Sequence, residues 1–93
     1  MKNSVKVLKA LADETRLRIV LFLADGEKCA CKVVPYTKKA QPTVSQHLKI
    51  LLEAGVLSQR REGKNIWYRI KSKEAKQIME ILDITKIKSK TKC

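Results

Sequence analysis

Apolar residues recur at helical spacing along most of this chain and switch to an alternating pattern in one stretch near its middle. Val5, Leu8, Leu11 and Ala12 predict a short first helix. A second follows in DETRLRIVLFLADG, where Leu17, Val20, Leu21 and Leu23 make it apolar on most sides and therefore central. Asp13 is placed to cap that helix at the positive end of its dipole, and Gly26 to stop it. A short third helix is expected over about residues 34–39, with Pro35 in its first turn, because proline disrupts a helix interior. In QPTVSQHLKILLEAG, Pro42 suits a first turn, Val44, Leu48, Leu51 and Leu52 form one stripe, and Gly55 ends the helix.

The alternation comes next, in VLSQRREGKNIWYRI. Leu57, Gln59 and Arg61 alternate with Ser58 and Arg60. Beyond a turn at Glu62 to Asn65, Ile66, Tyr68 and Ile70 face one way and Trp67 and Arg69 the other. This predicts a β-hairpin with a basic tip, with Trp67 packed on a neighbouring helix. A last helix in KEAKQIMEILDITKIK sets Ile78, Ile81, Leu82 and Thr85 on one face. The order α-α-α-α-β-β-α, mainly α with a β-hairpin, is that of a winged helix-turn-helix. It is expected as one domain over residues 1–88, with residues 89–93 a flexible basic tail ending in Cys93.

Charge adds a partner to this architecture. Lys+Arg 21 against Asp+Glu 9 gives a formal net charge of +12, which suits a polyanion through phosphate neutralisation. An anionic membrane surface would use the same charge, and so would a surface kept basic for solubility. The apolar runs are too short to span a bilayer, and the N-terminus meets charges too early for a signal peptide. The expected compartment is therefore the cytoplasm, where thiols stay reduced, with no membrane partner. One histidine, sparse acids and no glycine-rich phosphate loop argue against an enzyme.

A helix that reads DNA needs an apolar back and a polar front. On the fourth helix, Thr43, Gln46, Lys49 and Glu53 lie opposite the apolar stripe, with Ser45 on the flank. Gln46 can pair bidentately with adenine, Gln41 and Ser45 can reach bases or phosphates, and Lys49 suits a phosphate. Alternatively, these are ordinary solvated side chains. His47, at the edge of the stripe, is either a packed histidine or a DNA contact. Arg60, Arg61 and Lys64 around the hairpin tip either line a minor groove and its phosphates or protect an edge strand from pairing.

With these segments in this order, the chain resembles the ArsR/SmtB family of metal-responsive repressors. The resemblance is carried by LKALADETRLRIVLFLADGE, CAC, QPTVSQHLKILLEAGVL and RREGKNIWYRI, across about residues 6–70. It implies a homodimeric repressor on double-stranded, palindromic operator DNA that an inducer releases, with no cofactor required for DNA binding. It further implies that the terminal helices pair the subunits, here through Val5, Leu8, Ile78, Ile81 and Leu82. Gln41, Thr43, Ser45 and Gln46 fall on the family's DNA-touching positions, and Cys29 and Cys31 on its Cys-x-Cys. Four departures stand out. Val34 occupies the third-cysteine position of the arsenite-sensing branch, Ala40 stands where a serine cap is usual, Pro35 falls inside a stretch the resemblance expects to be helical, and the last helix lacks the histidines of a zinc-type site.

On an ideal helix, residues two apart point about 200° from one another, so Cys29 and Cys31 would not share an ion there. Pro35 disfavours helix at Val34, and an extended Cys-x-Cys would bring both sulfurs to one side. Lys28 and Lys32 beside them favour thiolate. The expected effector is As(III) or Sb(III), or a soft divalent metal such as Cd(II) or Pb(II). Cys93 is either a third ligand or a free terminal thiol. Thiol redox sensing, an effector-independent regulator and a small metal-trafficking protein are the alternatives.

Overall fold

The computed structural model describes the backbone of residues 2–92 and the side chains of residues 3–82. The elements run α1 (Lys2–Leu11), α2 (Glu14–Phe22), β1 (Lys28–Cys29), α3 (Ala30–Thr37), α4 (Gln41–Glu53), β2 (Leu57–Glu62), β3 (Asn65–Ile70) and α5 (Lys73–Lys92). The core gathers one stripe from each helix. Val7, Ala10 and Leu11 of α1 meet Ile19 and Val20 of α2, Val33 of α3, Val44, Leu48 and Leu51 of α4, and Ala75 and Met79 of α5. Tyr68 closes the core from β3, and Leu57 does so from β2. Helices α3 and α4 form the helix-turn-helix, and β2 with β3 the wing. The fold class expected from the sequence is the fold found.

Local chemistry explains the boundaries. The Asp13 carboxylate accepts the Arg16 N–H at 3.0 Å, capping α2. Helix α2 ends at Phe22 rather than running on to Gly26. Turns closed by Ala24 N–H to the Leu21 carbonyl and Gly26 N–H to the Leu23 carbonyl, both 3.1 Å, carry the chain onward. Helix α4 ends in a full Schellman motif. Val56 N–H bonds the Leu51 carbonyl at 3.0 Å, Gly55 N–H bonds that of Leu52 at 3.1 Å, and Gly55 takes φ +79°. Ala40 starts α4 with an extended backbone but no side-chain cap. Ala40→Ser should therefore add about 1 kcal/mol, read as a higher urea midpoint at unchanged slope.

Two further features differ from the sequence reading. The first is β1, which pairs antiparallel with β3 through Lys28↔Tyr68 and Cys29↔Trp67, making a three-stranded sheet of order β1-β3-β2. Two residues carry no readable period, so this strand left no pattern. The second is α3, which spans Ala30–Thr37 instead of about 34–39 and places Pro35 inside the helix, not in its first turn. Cys29 supplies the reason. Its backbone is extended (φ −70°, ψ 146°) and its sulfur accepts the Cys31 N–H at 3.2 Å, so a cysteine sulfur acts as the helix cap. The helix is thus nucleated upstream of the proline. At its other end Lys38, at φ 60°, donates its N–H to the Pro35 carbonyl at 3.2 Å.

Candidate nucleic-acid interface and thiol site

The burial of Val44, Leu48 and Leu51 fixes which way α4 turns. Gln41, Thr43, Ser45, Gln46 and Lys49 consequently stand exposed on the opposite side. His47 does not join them. It is half-buried, and its Nδ1 lies 3.3 Å from Arg16 Nη1 and 3.9 Å from Asp13 Oδ2. Arg16 Nε also donates to the Ala10 carbonyl at 2.6 Å. One arginine therefore joins the end of α1, the start of α2 and the recognition helix.

The Arg16 N–H holds the Asp13 carboxyl below its ordinary range against a smaller penalty from burial, and the Arg16 and His47 charges add lesser effects in the same direction as that N–H. A depressed folded-state pKa stabilises above the unfolded value, near 3.8, and that stability is lost as pH falls through the folded one. Asp13→Asn keeps an amide oxygen for the cap and removes the titration. Acid unfolding of that variant, followed by circular dichroism, should be less steep below about pH 4.

The wing turns at Gly63 and Lys64, with Glu62 opposite Asn65. Gly63 at φ +62° meets the need of a two-residue hairpin loop for a positive φ at its first central position. Arg61 and Lys64 are exposed and make no ion pair among the described residues. Arg60 is differently employed. It grips both oxygens of Glu27 at 2.8 Å, lies 3.5 Å from Glu62, and sits with its guanidinium carbon 5.5 Å from the centroid of the Trp67 ring. The Glu27 carboxyl is accordingly held below its usual range by the Arg60 hydrogen bonds. Trp67, expected against a helix, lies between Arg60 and Cys29 as their cross-strand neighbour.

The two cysteines converge. Cys29 and Cys31 are joined as a disulfide across a Cα–Cα distance of 5.1 Å. An ideal helix would separate them; the extended backbone at the cap turns Cys29 back toward the second residue of α3. Cys29 is buried and Cys31 exposed. They open onto a cleft of about 490 Å³ whose other walls include Gln41 at the start of the recognition helix and Lys64 and Asn65 at the wing tip. Among the described residues no group of three or more potential metal-ligating side chains is present. Cys93 lies outside the described residues.

Of the residues expected to pair subunits, Val5, Leu8, Ile81 and Leu82 expose large apolar side chains, while Ile78 is half-buried against its own core. Sequence reasoning missed Glu27, whose partner Arg60 is 33 positions away, and Arg16, whose contact with His47 spans 31. It also missed Asn65 as a wall of the cleft. Separations of that kind leave no local signal.

A family model described as bacterial regulatory protein, arsR family, matches residues 13–59. An uncharacterized HTH-type transcriptional regulator of Methanocaldococcus jannaschii is 40% identical over 83 residues, spanning 88% of this chain and 93% of the relative. The arsenical resistance operon repressor of Escherichia coli is 45% identical over 67 residues, or 71% of this chain; the match spans 57% of that longer protein. Among solved structures, HlyU from Vibrio cholerae superposes with a TM-score of 0.86 at 32% identity, covering 90% of this chain and 91% of HlyU. These relatives are transcriptional regulators rather than enzymes. The winged helix-turn-helix, the exposed polar face of α4 and these matches agree, and the chain belongs to the arsR family of DNA-binding transcriptional regulators.

Proposed function

We propose that this regulator is a homodimeric repressor that leaves its operator when As(III), Sb(III) or a soft divalent metal such as Cd(II) or Pb(II) binds the thiolates of Cys29 and Cys31. The observation that carries the reading is the shared cleft, which puts the thiols beside Gln41 and Lys64. The donor set suits such ions, since soft thiolates select soft metals and metalloids. In the repressing state Gln41, Thr43, Ser45 and Gln46 enter the major groove, Lys49 meets a phosphate, and Arg61 and Lys64 extend along the flanking backbone. Exposed Val5, Leu8, Ile81 and Leu82 supply apolar surface for a second copy. No helix among the described residues is long and apolar enough to cross a membrane.

Induction requires the ligand to bind the DNA-free form more tightly. A hundredfold preference corresponds to about 2.7 kcal/mol. Ligation at Cys29 acts on the cap of α3 and on the strand paired with β3, the two elements that aim α4 and the wing.

A second reading has its own support. The Cys29–Cys31 disulfide means that an oxidant acting on a reduced pair could join the same two sulfurs. One titration separates the two. Operator binding by the reduced protein is followed by fluorescence anisotropy against arsenite, antimonite, Cd(II), Pb(II) and peroxide. Release by the ions alone supports metal sensing, release by peroxide alone supports redox sensing, and binding no duplex under any condition rejects both.

A further inference from the structure

Trivalent arsenic takes three ligands and prefers sulfur to oxygen, and the described residues bring two sulfurs together. The cleft beside those two is far larger than a bare ion requires. At about 490 Å³ it falls within the range of sites that hold small organic molecules. Its walls are also of two kinds. Val34, Pro35 and Ile66 form an apolar part, while Gln41, Lys64 and Asn65 offer an ammonium and two amides. An ion alone would use none of these. A small molecule with a thiol at one end and carboxylate or amide groups at the other would use them all.

We propose that the third sulfur comes from a low-molecular-weight thiol bearing carboxylates, held in this cleft with its carboxylate on Lys64. The proposal rests on metalloid sensing at Cys29 and Cys31 and names the ligand that completes it. The chemistry balances without any oxidant. Arsenite as As(OH)3 exchanges three As–O bonds for three As–S bonds, two to the reduced protein pair and one to the small thiol. The three thiol protons leave with the three hydroxides as water, and arsenic stays trivalent. Since Gln41 and Lys64 both line the cleft, the bound conjugate occupies the surface proposed for DNA. Its carboxylates there oppose a phosphate, so ligand and operator exclude one another directly.

The test uses the full-length reduced protein, wild type and Cys93→Ser, with arsenite and either glutathione or 2-mercaptoethanol, which has no carboxylate. Native mass spectrometry should find one arsenic and one glutathione per chain in both proteins. Titration of the arsenic–sulfur absorbance should give an affinity about tenfold tighter with glutathione than with 2-mercaptoethanol, and Lys64→Glu should remove that difference. An adduct carrying arsenic without glutathione, and lost in Cys93→Ser, would place the third sulfur in the chain and overturn the proposal while leaving metalloid sensing intact. An unchanged preference in Lys64→Glu overturns the role of the cleft. Failure of the reduced wild type to retain arsenic with either thiol would overturn metalloid sensing itself.

Discussion

Cys29→Ser/Cys31→Ser should bind operator as tightly as the wild-type protein and fail to release it on addition of arsenite, Cd(II) or Pb(II). Serine is the informative choice because of what Cys29 does in the fold. Its sulfur accepts the Cys31 N–H and caps α3, and a serine hydroxyl is a stronger cap at the same position. The hydroxyl buried there keeps that N–H as a partner, so the helix start survives while the soft ligand is lost. Cys29→Ala would confuse the two effects, since it removes the cap as well, at a cost of about 1 kcal/mol. The response that disappears is the hundredfold weakening proposed for the wild type, measured as the ratio of operator dissociation constants with and without ion. A double serine variant that still lets go of DNA on adding arsenite would remove these thiols from the mechanism.

Leu51→Ala should be the most damaging single core change on the recognition helix. Leu51 is fully buried, and its carbonyl anchors the Schellman motif that turns the chain from α4 into β2. Truncating a buried leucine costs about 2–5 kcal/mol, depending on how far the surroundings collapse. A domain of this length holds on the order of 5–14 kcal/mol in all, so from about a seventh of its stability to all of it is at stake. Thermal unfolding at fixed protein concentration should show the loss, and DNA affinity should fall with it, because the same stripe aims the polar face. Concentration must be held fixed, since pairing of subunits stabilises by mass action. A melting temperature within about 2 °C of wild type would mean that Leu51 is not the anchor its burial indicates.

How much of this was legible beforehand differs by element. Helix α4 was readable almost residue by residue, because Val44, Leu48 and Leu51 repeat at one helical face and Pro42 and Gly55 mark its ends. The wing was readable for the same reason, with alternation on both strands and a glycine at the turn. Helix α3 was misplaced because the start signal is a cysteine, which capping preferences do not single out, while Pro35 argued for a later start. Strand β1 is too short to leave a pattern. The polar ties that set the site, Glu27 to Arg60 and Arg16 to His47, join residues far apart in sequence. Each becomes visible only when the chain is folded. The thiol pair was legible as a motif, but its angle to the reading head depended on that misplaced helix start.

The sheet register that sets Cys29 across from Trp67 also bears on how the protein can be observed. Trp67 is the only tryptophan in the chain, and its indole N–H is buried with no hydrogen-bond partner among the described residues. Sulfur close to an indole quenches its emission, and thiol, thiolate, disulfide and metal-bound sulfur do so to different extents. The occupancy of the thiol site should therefore be readable from intrinsic fluorescence in an unlabelled protein, on DNA or free of it, and on the timescale of a stopped-flow mixer. Whether ligand binding precedes operator release or follows it then becomes a question of which of two signals moves first.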